Sequence, residues 1–351
     1  MIKMKEHAIE YYNNFDKAIP YEDDYCVSYN KDHRINNFLY EINYKNLLDS
    51  ACTYPQAIYD DFINIIREKY NVNNVLLGSG SEDIIFRINQ KLHSCKFGIV
   101  APNFYRIFET RNHYTIINEK SKDSFGLITD ISHIKKAISE NIVDVVWLSN
   151  PNPIYGFGYD KQSILDLAIE YPETLFLIDQ ANLFFSEYSS NMDLCEYVTK
   201  YNNLAVIQTF SKYYSIPGLR VAFCATENEK LIEALSNSQV FGISSMSITL
   251  LKSLVENDEL FLLLKNEIIS NRNSLLKHIE NINHIKAKNT ITNTIYLYSR
   301  NFDIISYLYT KEIYAMNLTK ETGINDQYAA RISVFSDSKM FQKLLKAVIS
   351  L

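Results

Sequence analysis

The sequence predicts a two-domain α/β protein: a mostly parallel sheet covered by helices on both faces, followed by a smaller α+β region. Three observations predict it. The chain has 351 residues, too many for one simple core and suited to two packed domains. Its middle alternates short, near-continuous apolar runs with segments of helical spacing, as strands buried on both faces require. At about Ile243 that alternation gives way to long helical patterning.

Candidate strands are Phe97–Ala101, Tyr114–Asn118, Val143–Ser149, Thr174–Asp179, Leu204–Thr209 and Val221–Ala225. Helical spacing lies between them, as in Phe104–His113, Ile131–Glu140 and Lys161–Tyr171. Ligands collect at the carboxyl ends of such strands, so functional residues are sought there. From Ile243 to Asn281 the pattern is one or two long helices, with Leu250, Leu251, Leu254, Leu260, Leu263 and Leu264 at helical spacing. A strand at Thr294–Tyr298, a helix near Ile304–Thr310, a strand at Ala329–Val334 and an amphipathic helix ending at Leu351 complete the smaller region. The first 40 or so residues carry little pattern. The expected division is an arm over 1–44 packing with the small domain, a large domain over 45–242 and a small domain over 243–351.

Composition narrows the function. A hydrophobic fraction of 47% and a charged fraction of 22% are those of an ordinary globular protein. A net charge of −6 argues against an electrostatic grip on nucleic acid, leaving small molecules or proteins as partners. Five scattered cysteines form no C-x-x-C pair, which points to reduced thiols rather than a disulfide or zinc scaffold. The seven histidines show no H-x-x-x-H spacing, so no metal is expected. The first residues lack the apolar core of a signal peptide, and no stretch approaches the roughly 20 apolar residues of a membrane span. A soluble, cytoplasmic protein is the expectation.

Five local patterns carry chemistry. In Thr209-Phe210-Ser211-Lys212 through Gly218-Leu219-Arg220, a lysine follows a buried strand and an arginine comes eight residues later. A desolvated lysine near a second cation loses basicity and becomes a nucleophilic amine, while Ser211 and Arg220 suit a phosphate. A surface loop lysine reads the same way. Asp179 ends the apolar run Leu175-Phe176-Leu177-Ile178, where it fits either a cationic ring nitrogen or a turn. Gly78-Ser79-Gly80-Ser81-Glu82-Asp83 precedes an apolar helix, an arrangement for an anion or an ordinary turn. Ser149-Asn150-Pro151-Asn152-Pro153 suggests a rigid turn with room for a cis bond, whose Asn can donate to a phenolate oxygen. Arg331, within Ala329–Val334, offers a fork for a carboxylate or is an exposed strand residue.

Order and spacing together resemble fold-type I pyridoxal-phosphate enzymes of the aminotransferase superfamily, especially the histidinol-phosphate aminotransferase subgroup. The resemblance runs from about Tyr54-Pro55 to Arg331. It implies a mostly parallel, mixed seven-stranded sheet with a smaller α+β domain, and pyridoxal 5′-phosphate as cofactor. Lys212 would be the Schiff-base lysine, and Ser211, Arg220 and Gly80-Ser81-Glu82 would hold the phosphate. Phe104 would stack on the pyridine ring, Asp179 would meet its nitrogen, and Arg331 would receive the substrate α-carboxylate. Tyr54 sits where the family reaches the neighbouring subunit's phosphate, which implies a homodimer with shared active sites. The stretch from Lys212 to Arg220 also looks like threonine-phosphate decarboxylase.

Three departures stand out. A gapless alignment puts Pro153 where the family has the Asn that meets the ring oxygen, so Asn152 takes that role in a shifted register. The family continues its aspartate strand as Asp-Glu-Ala-Tyr, against Asp179-Gln180-Ala181-Asn182 here. Asn182 can still donate, but lacks the acidity of a phenol. Glu82-Asp83 inverts the usual Asp-Glu order. The expected activity is amino-group transfer between an amino acid, or a phosphorylated amino compound, and a 2-oxo acid. A decarboxylase and a non-catalytic dimeric descendant are the alternatives. In the arm, Lys31 and Arg34 read as solvated charges or as partners of a second anion.

Overall fold

The computed structural model describes residues 19–351 apart from 43, 57, 110–112, 118, 121–126, 129, 237–241 and 319–327. Seven strands form one sheet: β1 (Val75–Gly78), β2 (Phe97–Val100), β3 (Thr115–Ile117), β6 (Val145–Ser149), β7 (Leu175–Asp179), β8 (Leu204–Thr209) and β9 (Ala222–Thr226). The two-residue strands β4 (Glu119–Lys120) and β5 (Leu127–Ile128) pair as a separate ribbon. Spatial order is β1-β9-β8-β7-β6-β2-β3, and every neighbouring pair is parallel except the two made by β9. The mixed sheet expected from the sequence is therefore present.

Alternation explains the apolar runs. Val146, Leu148, Phe176, Ile178, Val206 and Phe223 pack into one core, while Val145, Trp147, Leu175, Leu177, Ile207 and Cys224 pack into a second core. A strand with a core on each face has no place for polar residues until it ends. Helices flank it with ordinary capping: Asp160 accepts from Ser163 N–H at 2.9 Å to start Lys161–Glu170. Expected strand ends move by one or two residues; β8 matches at both ends. Position 118 of the expected Tyr114–Asn118 strand, and 110–112 of the Phe104–His113 helix, fall outside the described residues. The edge strand β1 was not read from the sequence as a strand. Its apolar run, Val75-Leu76-Leu77, is only three residues long before the glycine-rich turn, too short to stand out as a strand.

The segment after Ile243 resolves into two helices, Ser245–Val255 and Glu259–Glu280, broken at the polar Glu256-Asn257-Asp258. A second, antiparallel sheet follows in the order β10-β11-β13-β12, from β10 (Lys286–Ala287), β11 (Thr294–Ser299), β12 (Met316–Asn317) and β13 (Tyr328–Ser333). Its core includes Tyr25 and Val27 from the N-terminal segment. Tyr25 Oη donates to Met340 O at 2.7 Å, and Ser333 N donates to Tyr25 O at 3.0 Å. Residues 1–18 of the expected arm lie outside the described residues.

The turn after β6 joins the two sheets. Asn150-Pro151 is cis, as the Asn-Pro step allowed. Ile291 N donates to Gly156 O at 2.9 Å, and Gly156 has φ +70. A Cβ there would lie 1.8 Å from Thr290 Oγ1, which is itself bonded into the buried threonine row Thr290-Thr292-Thr294. Gly156→Ala is thus expected to lose about 2–4 kcal/mol, since strain at a left-handed position adds to a clash with the buried, hydrogen-bonded side chains of Thr290 and Thr292. Equilibrium urea unfolding of the variant beside the parent measures it.

Candidate active site

Parallel register brings three strand ends level. Ser149 of β6 pairs with Asp179 of β7, and Asp179 pairs with Ile207 of β8. Chain leaving these ends enters a cavity of about 450 Å³. Because β9 runs the other way, its start lies at the same edge, which brings Arg220 to the cavity without a further crossover.

Lys212 sits in the short helix Phe210–Tyr213 directly after β8. Thr209 starts that turn by accepting from Ser211 N–H at 3.3 Å, and the two hydroxyls stand 3.1 Å apart. The Lys212 ammonium donates to Asn182 Oδ1 at 2.9 Å. Burial lowers the Lys212 pKa from 10.5 to about 8, with Asp179 working to raise it and Arg331 to lower it further. Asp179 is 6% exposed and accepts from Ala181 N–H at 2.9 Å. Burial raises its pKa, against the attraction of Lys212. Loss of water thus outweighs mutual attraction for both partners, and both are pushed toward neutrality.

Arg331, 6% exposed, projects from β13 of the small sheet. Its Nη1 donates to Pro153 O at 3.2 Å and its Nη2 to Cys26 O at 2.6 Å. One guanidinium therefore ties the turn after β6, the N-terminal segment and the second sheet together. Ser81 and Glu82 open the helix Ser81–Lys91, whose N-cap Gly80 has no side chain to accept from the first turn. Gly80 has φ +78, and a Cβ on it would lie 2.3 Å from Arg220 Nη2. Only glycine lets that guanidinium lie across the turn.

Ser81, Glu82, Phe104, Asp179 and Asn182 all line this one cavity, together with Ser211, Lys212, Arg220 and Arg331. Of the residues expected at this chain's own site, Gly80 and Asn152 are not among those lining it. Asn152 is buried behind the wall: its amide donates to Pro102 O at 2.7 Å, and its Oδ1 accepts from Ile154 N and Tyr155 N at 3.0 and 2.9 Å. Asn150 is used the same way, bonding both ways to the backbone of Tyr159. These bonds shape the turn and direct both side chains at backbone groups. Tyr54, expected to serve a neighbouring subunit's site, is 86% exposed on this chain's surface. Sequence reading missed Val27, Ser28 and Tyr29, which form the wall opposite the sheet. Their segment has no regular pattern to mark it. Lys31 and Arg34 are not solvated charges. Lys31 is 1% exposed, donating to Tyr21 O at 2.8 Å and Asp24 O at 2.6 Å. Arg34 is clamped by Asp32 and Glu267.

The residues fit a phosphorylated aldehyde whose ring nitrogen carries a proton. A weakly basic amine can take the aldehyde, a helix start with an arginine can take the phosphate, and a costly buried carboxylate gains a cation. Such an edge defines a pyridoxal-phosphate enzyme of fold type I. The chain belongs to the aminotransferase class I and II family, whose model matches residues 46–348, and pyridoxal 5′-phosphate is its cofactor. It is 27% identical to histidinol-phosphate aminotransferase of Brachyspira hyodysenteriae over 324 residues, 86% of this chain and 85% of that one. The fold matches histidinol-phosphate aminotransferase from Sinorhizobium meliloti in complex with pyridoxal 5′-phosphate at a TM-score of 0.77 and 13% identity, covering 94% of this chain and 90% of the other. It also matches L-threonine-O-3-phosphate decarboxylase from Porphyromonas gingivalis at 0.75 and 18%, covering 93% and 98%. No helix among the described residues is long and apolar enough to cross a membrane.

The lowered basicity of Lys212 has a sign that can be checked. Below about pH 8 the buried amine keeps its proton, and above it the neutral, nucleophilic form predominates. An unshifted lysine at pH 8 is neutral in fewer than about one molecule in a hundred. The rate at which apoprotein forms a borohydride-reducible linkage with pyridoxal phosphate should therefore rise with pH and level off above about 8. A rate still climbing at pH 10 means that the amine is not desolvated.

Proposed function

We propose that the protein transfers an amino group between an amino acid, or a phosphorylated amino compound, and a 2-oxo acid, with Lys212 as the residue that joins the cofactor and then moves the proton. The observation that carries this reading is the convergence of the Lys212 amine, the Asp179 carboxylate and the Arg331 fork on one cavity. When bound, the cofactor supplies an aldehyde for amine exchange and a cationic ring that accepts electrons from the substrate α-carbon.

The chain's residues do the rest. Arg331 orients the substrate by its anion through a bidentate fork, which fixes which bond at the α-carbon is broken. Lys212 would hold the cofactor through its amine and, once free, would take the α-proton and return it as an acid. Asp179 keeps the ring nitrogen protonated. Ser81, Glu82, Ser211 and Arg220 hold the phosphate, the first two through the backbone at the helix start, with Gly80 giving the room. Phe104 covers the ring. Asn182, which faces Lys212, takes the ring-oxygen position in place of Asn152.

A homodimer in the cytoplasm is part of the same reading, and so is the division into an arm, a large domain and a small domain at 44/45 and 242/243. Its support is the run of exposed apolar side chains Tyr40, Tyr44, Leu48, Tyr54 and Ile58, a surface suited to a second copy. Five cysteines in no disulfide fit a reducing compartment.

Lys212→Ala is expected to lose the visible, borohydride-reducible linkage and at least about a hundredfold in turnover. A variant that keeps both overturns the assignment. Arg331→Gln should raise KM for the anionic substrate by about 10–150-fold, the worth of a hydrogen-bonded charge. Product analysis separates the sister chemistry suggested by the Lys212–Arg220 stretch. Keto acid formed only with a 2-oxo acid acceptor means transfer, whereas carbon dioxide release without an acceptor means decarboxylation.

A further inference from the structure

The two acids after Gly80-Ser81 are inverted relative to the usual family order, and the structure gives them separate work. Asp83 accepts from Ser79 N–H at 2.9 Å and pairs with Arg87 at 2.8 Å. Arg87 in turn donates to Leu77 O at 2.9 Å and Leu235 O at 2.7 Å. The shorter acid thus ties the turn to its own helix and to β1. Glu82 instead lines the cavity. Its Oε2 lies 3.6 Å from Arg220 Nη2, and its Oε1 lies 3.6 Å from Arg106 Nε and 3.5 Å from the Tyr105 hydroxyl. The Arg220 guanidinium crosses Gly80, where a Cβ would come within 2.3 Å. The cation is held at the one place where a phosphate at the helix start would need it, and a carboxylate is already there.

We propose that Glu82 is an internal anion that holds Arg220 before the cofactor arrives and opposes the cofactor's phosphate afterwards, so that this carboxylate sets how tightly the cofactor is retained. The inference rests on the assignment of the phosphate to Arg220. Two anions that share one cation and one helix start compete for both, and repel each other at close range in a partly desolvated site. Glutamine has the same shape and keeps the hydrogen bonds without the charge.

The test uses the full-length apoprotein and two probes. Pyridoxal phosphate is titrated through its reducible visible band, and inorganic phosphate through the shift in melting temperature. Glu82→Gln should bind both about tenfold tighter, the effect of roughly one pK unit of charge interaction. Glu82→Asp withdraws the carboxylate by one methylene and should move the same way by less, which keeps the test open if the glutamine variant does not fold. Unchanged or weaker binding of both probes in these variants, with the parent band intact, overturns the role of Glu82 alone. If Arg220→Gln binds inorganic phosphate as well as the parent does, the phosphate assignment itself is wrong and the inference falls with it.

Discussion

Lys212, Asp179 and Arg331 are three ionisable groups drawn out of water around one cavity, and their mutual field decides what each can do. Burial pushes the lysine and the aspartate toward neutrality, while Arg331 presses the lysine in the same direction. A carboxylate kept in such a place costs several kcal/mol unless a cation meets it. The 2.9 Å bond from Lys212 goes to Asn182 rather than to Asp179, so the lysine leaves that cost only partly offset. A protonated ring nitrogen would remove it. The site is unfinished without such a ligand, and its strain is electrostatic rather than steric.

Arg331 also makes the site a joint property of both sheets. Its guanidinium is fixed by the carbonyls of Pro153 and Cys26, one from the turn after β6 and one from the N-terminal segment. Lys31 knots that segment by bonding back to Tyr21 and Asp24, which keeps Val27, Ser28 and Tyr29 against the cavity. A buried lysine that does not line the cavity thereby shapes its wall.

The large sheet was legible because its strands have a core on each face, so that burial writes an unbroken apolar run with a polar stop at the functional end. Asp179 and Lys212 stand at such stops, and both line the cavity. Strand β1 was hidden by its brevity, three apolar residues running straight into the Gly78-Ser79-Gly80 turn. The arm residues were hidden because irregular backbone has no period. Asn152 looked like a ligand because turn chemistry and ligand chemistry use the same amide. Only the bonds to Pro102, Ile154 and Tyr155 show which of the two it serves.

The exchange of the family's tyrosine for Asn182 bears on proton control. A phenol near the lysine can ionise and share the proton, whereas an amide cannot. Control over the Lys212 proton is then left to burial, which lowers its pKa, and to its neighbours, Asp179 raising it and Arg331 lowering it further. On the proposed reading, a substrate anion docked on Arg331 would cancel that residue's lowering influence and make the amine a stronger base when the α-proton is to be taken. Without that anion the amine stays weakly basic, as bonding to an aldehyde requires. Recognition of the substrate anion and activation of the base would then be one electrostatic event.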